Sequence, residues 1–354
     1  MPIIRDLDVK FEEVDRCPFC NTAESTFIYN NHDRLYGNPG VFGIVKCTSC
    51  ELVRVNPRPK PENIGEYYPE DKYYSYQTTG ASINSISNRY FLNEFRSRIR
   101  RIVFDGMNYP GMRLNAVEKV LKPIVRRLFF RHATYGYLDK FPNYKCEGRA
   151  LDVGCGNGIF LSYLKYYGWN VLGVDPSRRA SEVAKKEYGI NVVVGGIDSP
   201  ELIPESFDFI NLSHVVEHTH DPIATLLRVN ELLKPDGIAY VEVPNFDSFS
   251  RKYSGKFWYP WETPRHLFMF SPDSLALLCK KSGFKIEKLT SQLGDFWAWD
   301  CTYKKEETLG RFMEMRPSVA AKEKPQLAAL RIFARLHHII KPLSGEFICC
   351  WLSK

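Results

Sequence analysis

The sequence has no long apolar run. None of the 354 residues lies in a stretch of eighteen consecutive apolar residues, so no transmembrane helix is expected. No period of roughly 20 to 50 residues repeats and no low-complexity tract occurs, which argues against solenoids and propellers. The first residues, MPIIRDLDVKFEEVDR, are charged where a signal peptide is apolar, so we expect a cytoplasmic protein.

The composition is that of a folded chain. Hydrophobic residues make up 44% and charged residues 25%, which excludes a disordered protein. The length fits either two domains or one large α/β domain with insertions. The formal net charge of +7 is concentrated in residues 89–131, which hold eleven Arg or Lys and three acids. The rest of the chain is close to neutral.

Composition divides the chain into three predicted domains. Residues 1–65 hold two CxxC pairs, and residues 66–148 show apolar positions at helical spacing, which predicts a basic helical segment. In residues 149–354, short β-branched runs alternate with helical stretches, as in a doubly wound α/β sheet. Residues 292–344 are predicted to be a helical insertion before a last strand, Gly345–Leu352.

A glycine loop joins the first strand of the predicted α/β domain to a helix. The run LDVGCGNG contains Gly154, Gly156 and Gly158, which let a ligand approach the backbone at a helix N-terminus. A dinucleotide brings a pyrophosphate and usually a GxGxxG loop. Here the spacing is GxGxG, and Asp152 stands two residues ahead, where it would repel a pyrophosphate and attract the cationic groups of S-adenosylmethionine.

Two further acids follow the next strands. Asp175 ends the second strand, where a carboxylate can accept hydrogen bonds from both ribose hydroxyls. Asp198 follows the third strand, at the position of the adenine amino group. Alternatively, these acids only cap loops and the glycines only turn the chain.

The motifs together resemble a known family. LDVGCGNGIFL, VLGVDPS, FDFINLSHVVEHTHDP, LLKPDGIAYVEVPN and PRHLFMFSPDSL are similar to class I S-adenosylmethionine-dependent methyltransferases of methyltransferase domain family 23. The resemblance implies a seven-stranded sheet of order 3-2-1-4-5-7-6 with strand seven antiparallel. It also implies cofactor contacts at Asp152, Gly154, Gly156, Asp175 and Asp198, with Leu212 and Ser213 beside the methionine moiety.

The two CxxC pairs predict a metal site. They are Cys17, Cys20, Cys47 and Cys50, and 26 residues separate the pairs. Four thiolates on two tight turns suit a closed, structural Zn²⁺ site, whereas a redox dithiol needs only one pair. The stretch KCTSCELVRVNPRP resembles the zinc ribbon that precedes many bacterial methyltransferases of this family, including sugar C-methyltransferases and enzymes of polysaccharide or natural-product clusters.

Candidate catalytic residues follow the fourth strand, in SHVVEHTH. His214, Glu217 and His218 could share one turn, and an imidazole is a suitable base near neutral pH. We predict His214 as the base and His266, after an aromatic loop, as the second candidate. Arg265 could bind an acidic substrate group or anchor its own loop. Glu217 and His218 could instead only orient the loop after the strand.

The same run is similar to the ExxEH run of ubiquinone-biosynthesis O-methyltransferases, where the acids and the histidine are associated with a divalent cation. In this chain His214 replaces the first acid. That change disfavours a Mg²⁺ site, because Mg²⁺ prefers oxygen ligands. A histidine that acts as the base, or a site for a softer metal ion, is then the expected alternative.

These patterns predict a methyltransferase that acts on oxygen or carbon of a small molecule, such as a sugar or natural-product intermediate. The basic segment of residues 89–131 could form a solvated lid, touch a membrane surface, receive a lipid-linked or nucleotide-linked sugar, or contact nucleic acid, the last being disfavoured. An RNA-modifying methyltransferase and an inactive zinc-ribbon binding module are the alternative functions. The sequence does not specify an oligomeric state.

Overall fold

The structure is a computed structural model, and it describes residues 10–70, 73–76, 101, 102, 104–110, 114–129, 140–294, 300, 304 and 324–354. In chain order the strands are β1 Phe11–Glu12, β2 Ser25–Asn31, β3 Phe42–Cys47, β4 Val53–Val55, β5 Arg58–Pro59, β6 Arg149–Val153, β7 Asn170–Asp175, β8 Val192–Val194, β9 Phe207–Ser213, β10 Leu233–Pro244, β11 Phe268–Met269, β12 Lys285–Gln292 and β13 Phe347–Ser353. The α-helices are α1 Ala116–Phe129, α2 Ile159–Tyr166, α3 Arg178–Tyr188, α4 Pro222–Leu232, α5 Phe249–Ser254, α6 Pro272–Lys281 and α7 Lys324–Ile340.

Seven strands form the large sheet, in the order β12-β13-β10-β9-β6-β7-β8. Strand β6 is parallel to β7 and to β9, and β7 is parallel to β8. The last strand, β13, is antiparallel to β12. The predicted α/β fold and its strand order are therefore confirmed, including the antiparallel final strand.

Two helices of this fold, α3 and α6, begin at serine residues that can be recognised in the sequence as helix caps. Ser177 caps α3, because its side chain accepts a hydrogen bond from the backbone N–H of Ala180 at 3.1 Å. Ser271 and Ser274 form a capping box at the start of α6, where Pro272 occupies the first helical position. Such local signals explain why these two helix starts could be predicted from sequence.

A second, four-stranded sheet has the order β11-β4-β3-β2. Three of its strands come from the N-terminal residues, and the fourth, β11, lies more than two hundred residues later in the chain. The buried side chains beside this sheet include Phe42, Val55, Trp258 and Trp261, which pack in one cluster. The N-terminal strands thus share a sheet and a hydrophobic core with the segment around β11.

The chain divides into two compact units. One contains Met1–Pro69, Ser213–Leu227 and Val241–Ser353, and the other contains Glu70–Leu212, Arg228–Tyr240 and Lys354. The first segment ends at Pro69, four residues after the expected boundary, and it shares its unit with two later segments. The division into three domains stays a prediction.

Parts of two expected regions lie outside the described residues. Within the basic residues 89–131, the residues outside the description are 89–100, 103, 111–113, 130 and 131. Within the predicted helical insertion of residues 292–344, they are 295–299, 301–303 and 305–323. Within the described parts, α1 and α7 are helical as expected. No helix among the described residues combines the length and apolarity that crossing a bilayer requires.

Candidate active site

The glycine loop between β6 and α2 has the predicted form. Gly154, Gly156 and Gly158 have φ values of 64°, 51° and 75°, in the left-handed region where a side chain is strained. A Cβ atom at Gly156 would also lie 2.8 Å from the carbonyl oxygen of Ser75. Only glycine therefore fits at this close approach of two backbone segments.

Asp175 ties the second strand to this loop. The side chain is buried, and its two oxygens accept hydrogen bonds from the backbone N–H groups of Gly156 and Ser177, each at 2.9 Å. Burial raises the pKa of Asp175, against the opposing effect of these two donors. Each carboxylate oxygen keeps a lone pair, so the group can accept further hydrogen bonds from a ribose.

Asp152 is the second buried acid of the loop region. Burial raises the pKa of Asp152 to about 6, although a hydrogen bond from Asn211 and the charge of Lys140 favour the ionised form. The group is thus ionised at neutral pH and suits a cationic ligand. Asn211 was not predicted; it is a buried amide on β9, and a polar residue within an apolar strand is the signal that could have found it.

The remaining cofactor candidates occupy the expected strand ends. Asp198 is exposed in the turn after β8, Leu212 is buried, and Ser213 is the last residue of β9. Their positions in the chain are those that the sequence predicts, and their contacts with a cofactor stay predictions.

A histidine cluster begins directly after β9. His214 has a φ of 56°, rare for a side chain of this size, and precedes a 3-10 turn of Val216–His218. Its Nδ1 lies 3.2 Å from Oε1 of Glu217, and its Nε2 lies 3.3 Å from Oε1 of Glu242. Burial lowers the pKa of His214, but the two glutamates outweigh it and raise the pKa to about 10. His214 is therefore a cation held between two carboxylates.

His218 and His266 are neutral. Burial, together with the proximity of His266, lowers the pKa of His218 to about 4, and burial lowers that of His266 to about 3. The Nδ1 atom of His218 lies 3.1 Å from the carbonyl oxygen of Arg265 and 2.8 Å from the hydroxyl of Tyr68. Nδ1 of His266 donates to the carbonyl of Pro260 at 2.7 Å. A proton on each Nδ1 leaves each Nε2 as an acceptor.

Glu217 completes this cluster. Its side chain is fully buried, and its Oε2 atom has no hydrogen-bond partner among the described residues. Ligand atoms of Glu217, His218 and His266 lie within 4.8 Å of one another, close enough to hold one metal ion. These three residues can thus accept a proton or coordinate a cation.

Arg265 anchors the loop that carries His266. The guanidinium is buried, donates to the two oxygens of Asp33 at 3.0 and 2.8 Å, and donates to Glu262 at 3.1 Å. It also donates to the carbonyl of Tyr67 at 3.1 Å. Of the two roles left open for Arg265, the geometry supports loop anchoring. Asp33 and Tyr68 were missed because their partners are remote in sequence. Glu262 was also missed, although its partner Arg265 lies three residues away.

The four predicted cysteines lie together. Sγ of Cys17 is 3.4 Å from that of Cys50, and Sγ of Cys20 is 3.5 Å from that of Cys47. All four sulfurs fall within 4.8 Å of one another. A tetrahedral zinc ion with Zn–S bonds of about 2.3 Å separates its sulfurs by about 3.8 Å. The donor set therefore fits such an ion.

Parts of the chain are similar to known proteins. Residues 117–289 match a family described as a methyltransferase domain. The ubiquinone biosynthesis O-methyltransferase of Cereibacter sphaeroides is 32% identical over 146 residues, which cover 38% of this chain and 59% of that protein. The same enzyme of Neisseria meningitidis is 30% identical over 156 residues, covering 40% and 65%. The matches span less than two thirds of these relatives.

Solved structures of methyltransferases are also similar. A SAM-dependent methyltransferase from Archaeoglobus fulgidus has a TM-score of 0.42 and 19% identity, covering 68% of this chain and all (100%) of that one. A putative methyltransferase from Haloferax volcanii, in complex with its Trm112 activator, has a TM-score of 0.44 and 15% identity, covering 66% and 93%.

Proposed function

We infer, from the match of residues 117–289 to a methyltransferase domain family, that the chain transfers a methyl group from S-adenosylmethionine to an acceptor. The observation that carries this proposal is the buried carboxylate of Asp175, fixed by the backbone N–H of Gly156. An acid at the end of the second strand, bonded to the glycine loop, suits the ribose of a nucleoside cofactor.

The residues that would hold the cofactor are those predicted from sequence: Asp152, Gly154, Gly156, Gly158, Asp175, Asp198, Leu212 and Ser213. The bound cofactor supplies an electrophilic methyl group on a sulfonium. Asp152 provides negative charge for the cationic groups, and the glycines provide room for close approach.

The acceptor is proposed to be a hydroxyl group of a small molecule. Two relatives are named ubiquinone biosynthesis O-methyltransferases, which supports methylation of oxygen. The cysteine pairs resemble those of enzymes for sugars and natural products, so a sugar or a related intermediate of polysaccharide or secondary-metabolite biosynthesis is the proposed substrate class. Methylation of carbon in the same class is the alternative.

The histidine cluster is proposed to act on the acceptor. A hydroxyl must lose its proton as the methyl group is transferred. The Nε2 atoms of His218 and His266 can accept the hydrogen bond of that hydroxyl and orient it. His214 lies between Glu217 and Glu242, so we assign it the positioning of Glu217 rather than the predicted role of base.

Zinc is proposed as the structural ion of Cys17, Cys20, Cys47 and Cys50. Cysteines that bind a metal, and do not form disulfides, are typical of a reducing compartment. We therefore also propose that the protein is cytoplasmic.

The proposal can be tested by calorimetric titration of the full chain with S-adenosylhomocysteine. The unmodified protein should bind, and Asp175→Ala should weaken binding at least about tenfold, because the ribose would lose a charged acceptor. Asp273→Ala, which removes an exposed acid elsewhere, is the matched control and should bind normally. Tight binding of NADH with no binding of S-adenosylhomocysteine would refute the proposal.

A further inference from the structure

A short turn of the chain lies directly on the glycine loop, in the same compact unit. It is the 3-10 turn Tyr74–Tyr76, and the backbone carbonyl of Ser75 accepts a hydrogen bond from the N–H of Asn157 at 3.0 Å. The same carbonyl oxygen lies 2.8 Å from the place that a Cβ atom at Gly156 would occupy. The chain itself therefore fills the space that the missing side chain of Gly156 leaves.

In dinucleotide-binding loops the equivalent space serves the ligand, because the second glycine lets the backbone approach the pyrophosphate. Gly156 is the second glycine of this loop, and its open side is taken by the oxygen of Ser75. The open side of Gly158 is filled as well, since a Cβ atom there would lie 2.8 Å from Cβ of Ala184. A pyrophosphate could therefore reach neither glycine from these sides.

The backbone donors of the loop are also used within the chain. Phosphate-binding loops hold an anion by pointing unpaired N–H groups at it. Here each N–H group from residue 154 to residue 159 has an acceptor: the carbonyl of Val174 for Gly154 and Cys155, Asp175 for Gly156, the carbonyl of Ser75 for Asn157, the carbonyl of Cys155 for Gly158, and Oδ1 of Asn157 for Ile159. A phosphate could use these donors only if an internal hydrogen bond broke.

Two buried tyrosines hold the turn in place. Tyr73 and Tyr76 are 5% and 7% exposed, and their ring centroids are 4.8 Å apart. The N–H of Tyr76 donates to the carbonyl of Tyr73 at 3.1 Å, which closes the backbone around Ser75. The turn also contacts helix α3. Because the two rings are removed from water on either side of Ser75, their burial fixes the position of its carbonyl.

The carbonyl also favours one sign of ligand charge. Its oxygen carries the negative end of the peptide dipole, so it repels phosphate oxygens and attracts cationic groups. Asp152 and Asp175, the buried acids of the loop region, act in the same direction. A nucleoside with a cationic, phosphate-free substituent suits these surroundings, whereas a nucleotide with a phosphate tail does not.

We propose that the backbone carbonyl of Ser75, held by Tyr73 and Tyr76, is a selectivity element that excludes phosphate-bearing nucleotides from the glycine loop and reserves the loop for S-adenosylmethionine. This inference rests on the proposed function, because it takes the glycine loop as the cofactor site. The cofactor contact expected of Gly156 is then left to its backbone. Tyr73 and Tyr76 are positioning residues, since they act through the carbonyl between them.

The test compares two ligands that share adenosine and differ in the charge of the tail. In calorimetric titrations of the full chain, S-adenosylhomocysteine should bind at least about a hundredfold more tightly than ADP. Tyr73→Ala combined with Tyr76→Ala should lower this preference at least about tenfold, because a loosened turn uncovers Gly156 and releases the N–H of Asn157. Tyr73→Phe combined with Tyr76→Phe keeps both rings and is the matched control, with an unchanged preference. General damage to the fold would weaken both ligands alike and leave their ratio unchanged.

Hydrogen exchange of the unmodified chain provides a measurement that needs no variant. The peptide that contains residues 73–76 should exchange no faster with S-adenosylhomocysteine than without it, because the cofactor leaves the turn in place. Faster exchange in this peptide, equal affinities for ADP and S-adenosylhomocysteine, or a full preference in the alanine variant would each overturn the inference and leave the proposed methyl transfer standing. A chain that binds neither ligand would refute the proposed methyl transfer and this inference with it.

Discussion

Replacement of Asp33 by Asn should be strongly destabilising. Asp33 and Arg265 are both fully buried, and the carboxylate accepts two hydrogen bonds from the guanidinium. Oδ1 also accepts from the backbone N–H groups of Leu35 and Tyr36, and Oδ2 accepts from the amide of Asn38 at 2.7 Å. An asparagine has the same shape but no charge, and its NH₂ group would face other donors.

The magnitude follows from the burial of the pair. Removal of one partner of a buried ion pair leaves the other charge without compensation and costs about 3–5 kcal/mol. Glu262 still contacts Nε of Arg265 at 3.1 Å, which places the expected loss near the lower end of that range. Burial raises the pKa of Asp33, but Arg265 outweighs it and the net shift is downward. The stabilisation is therefore present above the pKa of the unfolded carboxyl and is lost as the pH falls below it.

The assay is urea unfolding followed by circular dichroism at neutral pH and again at acid pH. Glu66→Gln is the control, because the Lys10–Glu66 pair is 50% and 53% exposed and its loss should cost less than about 1 kcal/mol. Arg265→Met combined with Glu262→Gln in the Asp33→Asn background should recover part of the loss, since Arg265 and both of its buried carboxyl partners are then replaced together. A loss below about 1 kcal/mol for Asp33→Asn would refute the view that this pair holds the loop.

Three further predictions concern the metal, the acid Asp300 and the histidines. Protein purified without chelator should contain about one equivalent of zinc, and Cys17→Ser combined with Cys50→Ser should abolish it, as metal analysis would show; a full equivalent in the variant would contradict the four-cysteine site. Burial raises the pKa of Asp300 to about 8, so the folded state binds its proton more tightly, and the free energy of unfolding should fall by about 1.4 kcal/mol per pH unit between pH 5 and 7. Asp300→Asn should remove that slope, and an unchanged slope in urea titrations would contradict the assignment. His218→Ala should lower turnover by roughly 10²-fold at unchanged affinity for S-adenosylhomocysteine, whereas His337→Ala, outside the cluster, should not; equal turnover of the two variants would remove His218 from the reaction.

The large sheet could be predicted because its signals are local. The runs of β6, β7 and β13 are rich in apolar residues and adjoin glycine, proline or acidic residues, and the motif order fixes which strand is which. The glycine loop was predictable for the same reason, since positive φ at Gly154, Gly156 and Gly158 follows from the residue type.

The surroundings of the histidines could not be predicted in this way. Glu242 binds His214 from β10, Tyr68 contacts His218, and Asp33 binds Arg265 from 232 positions away in the chain. No local pattern specifies such pairs, because tertiary packing brings them together. The raised pKa of His214 depends on these partners. The sequence alone therefore predicts a base at this position, whereas the two carboxyl groups beside the ring support the proposed positioning role.

The pairing of β11 with β4 limits which segments of this protein can be removed or exchanged on their own. Phe268 faces Arg54 and Met269 faces Val53 across that ladder, two residues after His266. A truncated chain that begins at the glycine-loop region would leave this strand without its neighbour and Arg265 without Asp33. Chimeras of related proteins that are made to change the acceptor should therefore take residues 10–69 and 258–270 from the same parent.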